Sequence, residues 1–290
     1  MTNNIYISTG AFKSKKIDEI LGLARKYNIK NIELSAGMDY DENFGSKVLL
    51  AGEDFSFLMH NYSPTPKSSF LLNFASDNIN TIKKSMDLAK KAIDISVSVS
   101  AEFYAVHCGF AFDSNGSHLG NASQMELPRL SMEKAYENYI KNIKKLNDYA
   151  KEKKVKLAIE NNVIADFGLI DGKNEICLGA DIEGLTKIFD GVDDENLYLL
   201  LDLAHAKVNI NSLGLNINNL IEKFDKKIIG LHISDNGGKR DTNEKLTFAS
   251  DILKYAKLLR DRYLILEVYS IEPHEILDQI QILFEAINDR

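Results

Sequence analysis

Short apolar runs that close on a charged or imidazole side chain recur along this chain: KLAIE ends in Glu160, YLLLD in Asp202, IIGLH in His232 and YLILE in Glu267. Runs this short, rich in β-branched and aromatic residues, read as buried strands. The same pattern predicts strands over residues 5–8, 31–34, 55–59, 103–107, 156–159, 198–201, 228–232 and 263–268. Between them, apolar residues recur every three or four positions over 15–27, 79–96, 132–153, 184–189, 215–224 and 249–259, the spacing of helices that bury one face. A further helix is predicted over 273–287, where Pro273 sits near the start and its missing N–H leaves no helical bond unmade. Residues 39–53 leave room only for a short helix between the second and third strands. Strands alternating with helices build a parallel sheet. Eight of them predict an α/β fold closed as a (β/α)8 barrel, one domain over residues 1–290.

A polar group that closes a buried strand costs free energy unless something satisfies it. Glu160, Asp202, His232 and Glu267 all stand at such ends, and the three acids would repel one another without a cation between them. A divalent metal held by these four residues is therefore expected. Four of the six histidines, His60, His107, His205 and His232, fall at or just past strand ends. One histidine in such a place is more often a hydrogen-bonded structural residue than a ligand; four beside three acids reverse those odds. Three carboxylates with one imidazole suit Mn2+, Mg2+, Co2+ or Fe2+, and added imidazoles tilt a site toward Zn2+. The spacing Asp202-x-x-His205 lets the acid end a strand while the histidine emerges from the next turn, although by itself it equally marks an N-capping aspartate. The segments 61–77, 110–130 and 162–181 are long and rich in Pro, Gly, Ser and Asn. Long loops after barrel strands usually build an active site and its lid.

Charge and cysteine usage narrow the partners. A net charge of −7 and a pI near 5.5 supply no global basic field, so neither nucleic acid nor an anionic membrane is an expected partner. Lys144, Lys145, Lys151, Lys153 and Lys154 are expected on a solvated helix surface. Cys108 and Cys177 form no CxxC pair, and the start MTNNIYISTG lacks a basic segment followed by an apolar one, so a reducing, cytoplasmic setting is expected. No GxGxxG or Walker-type glycine loop is present, so no nucleotide cofactor is expected.

The residues around these strand ends resemble the xylose isomerase-like TIM barrels, a superfamily of sugar and sugar-phosphate isomerases and epimerases, inosose dehydratases and endonuclease IV-type apurinic nucleases. The resemblance spans essentially the whole chain. It rests on His60-Asn61-Tyr62, Leu72-Asn73-Phe74-Ala75-Ser76, Val106-His107-Cys108-Gly109, Ile159-Glu160-Asn161, Leu201-Asp202-Leu203-Ala204-His205, Leu231-His232-Ile233-Ser234-Asp235-Asn236 and Leu266-Glu267-Val268. It implies that Glu160, Asp202, His232 and Glu267 hold the shared metal. In the endonuclease branch, positions matching His60, His107 and His205 add ligands, with a DxH motif after strand seven. This chain has Asp241-Thr242-Asn243 there, an amide in place of the histidine. An amide is a poor zinc ligand, so a third metal would keep only His205 and Asp241. His60, His107, His205 and Asp241 are thus expected to complete a second metal site or to touch substrate.

The resemblance implies an enzyme: a divalent-metal-dependent (Mn2+, Zn2+, Co2+ or Mg2+) isomerase or epimerase of a small sugar, sugar phosphate or polyol ketone. It would work through an enediolate, with Glu160 and Glu267 as acid and base. Glu33, Asn161 and Arg240 are expected to contact the carbohydrate substrate, the alternatives being that Glu33 only closes a polar network at the mouth and that Arg240 is simply exposed; Asn161 and Asp235 are also able to orient ligands. Lys207 is expected at the surface, as are His118 and His274. A homo-oligomer is left open. The alternatives are an endonuclease IV-like phosphodiesterase acting on abasic DNA, or a barrel that binds without catalysis.

Overall fold

The computed structural model describes residues 4–114 and 127–289. His118 lies outside them. Eight parallel strands close into a barrel in chain order: β1 (Ile5–Ser8), β2 (Asn31–Leu34), β3 (Ser56–His60), β4 (Phe103–His107), β5 (Lys156–Glu160), β6 (Leu197–Asp202), β7 (Ile228–Ile233) and β8 (Tyr263–Leu266). Around it pack α1 (Ile17–Lys26), α2 (Phe44–Ala51), α3 (Ile79–Ser98), α4 (Met132–Glu152), α5 (Ile182–Val192), α6 (Leu203–Leu213), α7 (Ile217–Phe224), α8 (Leu253–Leu258) and α9 (Pro273–Asn288). The (β/α)8 architecture expected from the apolar pattern is the one observed. No helix among the described residues is long and apolar enough to cross a membrane.

The element missing from the sequence expectation is α6. It begins directly at the end of β6 and buries Leu203, Ala204, His205, Ala206, Val208 and Asn209, positions spread around its circumference rather than along one stripe. A helix covered on most sides shows no clear amphipathic period.

Strand alternation decides where the polar residues sit. Successive side chains of a strand face opposite sides. Met59, Val106, Ile159, Leu201 and Leu266 join the core between barrel and helices, whereas Leu58, Ala105, Ala158, Leu200 and Ile265 fill the barrel interior. Two residues beyond each of these interior positions stand His60, His107, Glu160, Asp202 and Glu267. The apolar plug therefore ends, and a polar layer begins, at the carboxyl-terminal mouth, where barrel active sites form.

Candidate metal centre and its cavity

Glu160 stands at the middle of the polar layer and has no exposed surface. Its Oε2 lies 2.6 Å from His60 Nε2 and 3.4 Å from His107 Nδ1; its Oε1 lies 3.2 Å from His232 Nδ1 and 3.6 Å from His205 Nδ1. His232 Nδ1 is also 3.0 Å from Glu267 Oε2 and 3.7 Å from Asp202 Oδ2. One ligand atom from each of Glu160, Asp202, His232 and Glu267 falls within 4.8 Å of the others. The structure thus brings together the four residues singled out from strand ends. Among the described residues, His60, His107 and Glu160 form a further group of the same kind, as do Glu33, His60 and His232.

Asp202 serves two purposes. It is the N-cap of α6, with Oδ1 accepting from the His205 backbone N–H at 2.7 Å, while the buried Oδ2 has no hydrogen-bond partner among the described residues and faces the cluster. Both meanings of the DxxH spacing hold at once. His205 Nδ1 donates to the Asn161 carbonyl at 2.7 Å, which turns Nε2 toward Asp202 Oδ2 at 3.7 Å and Asp241 Oδ2 at 3.3 Å.

The expected substrate contacts are redistributed. Glu33 is fully buried and accepts from His232 Nε2 at 2.8 Å, so it stands behind a candidate ligand instead of facing the mouth. Asn161 is buried too; its side chain bonds the Asp202 backbone N–H at 2.7 Å and C=O at 3.1 Å, tying β5 to β6. It does not line the cavity that opens over the centre. Asp235 pairs with Lys207 at 2.7 Å, and Lys207 also meets Asp251 at 2.8 Å, so neither bears on the polar layer. Asn243 sends its amide to the Glu267 carbonyl at 3.0 Å, anchoring the end of β8 and not projecting at a third metal position. His274 and the lysines of α4 and its following turn are exposed.

A cavity of about 580 Å³ opens over the centre, lined by Glu267, His107, His205, Asp241 and Arg240 among the polar residues expected from sequence. Tyr269 and Asn162 line it as well, and neither was singled out beforehand. Tyr269 sits two residues past Glu267, so carrying the strand alternation beyond β8 would have found it. Glu160 lies beneath this wall and does not line it.

The electrostatics show what the donor set lacks. Burial works against the Glu160 charge, yet the imidazoles of His107, His232 and His60 outweigh it and hold the carboxyl well below its ordinary range. His232 and His205 are driven well above theirs, against burial, by the acids that face them. Burial pushes His107 down to about 4. Asp202 is raised to about 8, first by burial and then by the charges of Glu160, Asp241 and Glu267 that outweigh His205's help. A buried carboxylate with an orphaned oxygen among three other acids is a site that a divalent cation would relieve. The residues present therefore fit a metal.

A family model described as xylose isomerase-like TIM barrel matches residues 10–284. No curated protein matches the chain in sequence. Among solved structures, a D-tagatose 3-epimerase-like protein is 18% identical and superimposes with a TM-score of 0.72 over 98% of this chain and 99% of its own. An IOLI protein with a bound zinc atom is 16% identical, with a TM-score of 0.69 over 99% and 97% of the two chains. A D-psicose 3-epimerase from Clostridium cellulolyticum H10 with D-tagatose is 12% identical, with a TM-score of 0.65 over 98% and 95%. At such identities the likeness is one of fold.

Proposed function

The chain belongs to the xylose isomerase-like TIM barrel family, and from that premise we propose that it is a divalent-metal-dependent isomerase or epimerase of a small sugar, sugar phosphate or polyol ketone. One observation carries the reading: four metal-type donors converge at strand ends under a cavity of about 580 Å³. The ketose epimerases among its structural relatives support the carbohydrate side of it.

Glu160, Asp202, His232 and Glu267 would hold Mn2+, Zn2+, Co2+ or Mg2+, which when bound would polarise a substrate carbonyl and offset the negative charge of the enediolate. Glu267, in the cavity wall, takes the proton from the carbon beside the carbonyl. That loss leaves an enediolate, and a proton returned to the opposite face inverts the carbon, whereas one returned to the neighbouring carbon isomerises the sugar. Glu160 is the second carboxylate of the pair; ionised among its imidazoles, it would return a proton to carbon only by taking one from the His60 imidazolium, whose Nε2 lies 2.6 Å from its Oε2. The Tyr269 phenol, kept protonated by the Glu267 charge beside it, is a donor for a substrate hydroxyl.

The test is exchange of a substrate C–H proton in deuterated water, run over a ketose panel with Glu160→Gln and Glu267→Gln variants that fold and bind metal. Loss of exchange by about 100-fold or more is expected for each. Wild-type exchange in both variants would remove the two-glutamate scheme. A second reading, metal-dependent hydrolysis of abasic DNA, draws on the His60, His107 and Glu160 group. The Asn243 amide, turned to the Glu267 carbonyl, speaks against it, and robust metal-dependent nicking of abasic DNA would put it first.

A further inference from the structure

Resting on the sugar-enzyme reading above, we infer that the substrate carries an acidic end group, a carboxylate or a phosphate monoester, which Arg240 holds while the reacting end lies against Glu267 and His107. The first ground is the cavity wall away from the metal centre. Leu71, Phe110, Ile164 and Phe167 line it, the first and third belonging to a small separate core formed under the loops. Its polar side chains are largely occupied. Asn162 Nδ2 donates to the carbonyls of Cys108, Gly109 and Leu178 at 2.6, 3.0 and 3.0 Å. The Tyr62 hydroxyl donates to the Phe70 carbonyl at 3.0 Å and accepts from the Leu72 N–H, and the Thr242 hydroxyl donates to Glu244 at 2.8 Å. Asn61 Oδ1 has no hydrogen-bond partner among the described residues. A neutral polyol laid along this wall would leave several hydroxyls without partners, which is costly in a buried place.

The second ground is Arg240 itself. Its guanidinium stacks over the Phe167 ring, 4.9 Å from the centroid, and no acid among the described residues pairs with it. Lys207, by contrast, is neutralised by Asp235 and Asp251. Stacking fixes the plane of a guanidinium and leaves its N–H edge free to meet a carboxylate or phosphate in bidentate fashion. Of the other charged lining residues, Glu267 and Asp241 repel an anion, and the His205 imidazole is already held between Asp202 and Asp241 at 3.7 and 3.3 Å. The charge pattern therefore sets the substrate's direction as well as its class.

The experiment is calorimetric titration of the Mn2+-loaded enzyme with matched pairs: D-fructose 6-phosphate against D-fructose, and D-glucuronate against D-glucose. At least one acid should bind about tenfold or more tightly than its neutral counterpart, and the pair that shows it identifies phosphate or carboxylate as the group. Arg240→Met should abolish the preference, and Arg240→Lys should keep part of it, since a lysine retains charge but not the fork. Arg240 is exposed, so both variants are expected to fold, which an unchanged urea melt checks. Absence of any acid preference, or a preference that survives Arg240→Met, would overturn the assignment. If an acid binds through Arg240 yet shows no C–H exchange, the isomerase reading fails while this one stands; exchange on neutral sugars without acid preference gives the reverse.

Discussion

Replacing Glu33 separates two roles that the sequence alone cannot tell apart. Glu33 Oε1 accepts from His232 Nε2 at 2.8 Å, and both residues have no exposed surface. That bond fixes the ring so that Nδ1 faces Glu160, Asp202 and Glu267. Glu33→Gln keeps the size and an acceptor oxygen but removes the charge, which weakens the bond from the charge-assisted to the neutral class, about 1 kcal/mol. Acids that support a ligating histidine typically contribute 10–100-fold to metal affinity, roughly 1.4–2.7 kcal/mol. A drop of about tenfold is therefore expected for Glu33→Gln. Glu33→Leu should lose more, and its metal-free form should be destabilised by about 1–3 kcal/mol because the His232 N–H is left without a partner. Metal affinity is read by competition with a chromogenic chelator, and stability by urea unfolding of the chelated protein. If Glu33→Gln bound metal within about twofold of wild type while KM rose sharply, Glu33 would be a substrate contact and the argument from His232 would be wrong.

Other consequences follow from the same geometry. In chelated protein, Asp202 is raised to about 8 and His205 and His232 well above 6.5; groups raised on folding stabilise fully below their unfolded pKa and lose that contribution as pH climbs through the folded value. His107, lowered to about 4, has the opposite sign only up to its ordinary 6.5, so thermal melts should show Tm falling from about pH 6.5 to 9 without metal, and a rise over that range would contradict the assignment. Asn243→Ala should destabilise by about 2 kcal/mol, because Asn243 has a left-handed φ of 46° and anchors the Glu267 carbonyl; Asn243→Gly, which relieves the strain but not the lost bond, should recover part of it in urea melts. A Cβ added at Gly109 would lie 2.7 Å from Ala75 Cβ and 2.9 Å from Tyr139 Cδ2, while the Tyr139 hydroxyl donates to the His107 carbonyl at 3.3 Å. Gly109→Ala should therefore cost about 1–3 kcal/mol in the same assay, and a neutral result would show that this junction yields easily.

The strand ends were legible because the signal is local. Two-residue alternation places Ala158 and Glu160, or Leu200 and Asp202, on one face, and burial penalties make an acid at the end of such a run informative. Helices with one buried stripe, such as α1 and α4, were legible for the same reason. The helix α6 was not, since burial on most sides leaves no stripe to see.

Pairings between distant strands belong to the closed barrel alone. The sequence by itself pointed to His60, Glu160, Asp202, His232 and Glu267 as strand-end residues at one mouth. Only the tertiary structure decided that Glu33 backs His232 across 199 positions, that the Asn161 amide bonds the Asp202 backbone, and that Arg240 lines the cavity with no acid paired to it among the described residues. The physical reason is that a strand's period sets the side on which a residue lies, whereas hydrogen bonds form over about 3 Å, and barrel closure chooses which atoms come that near.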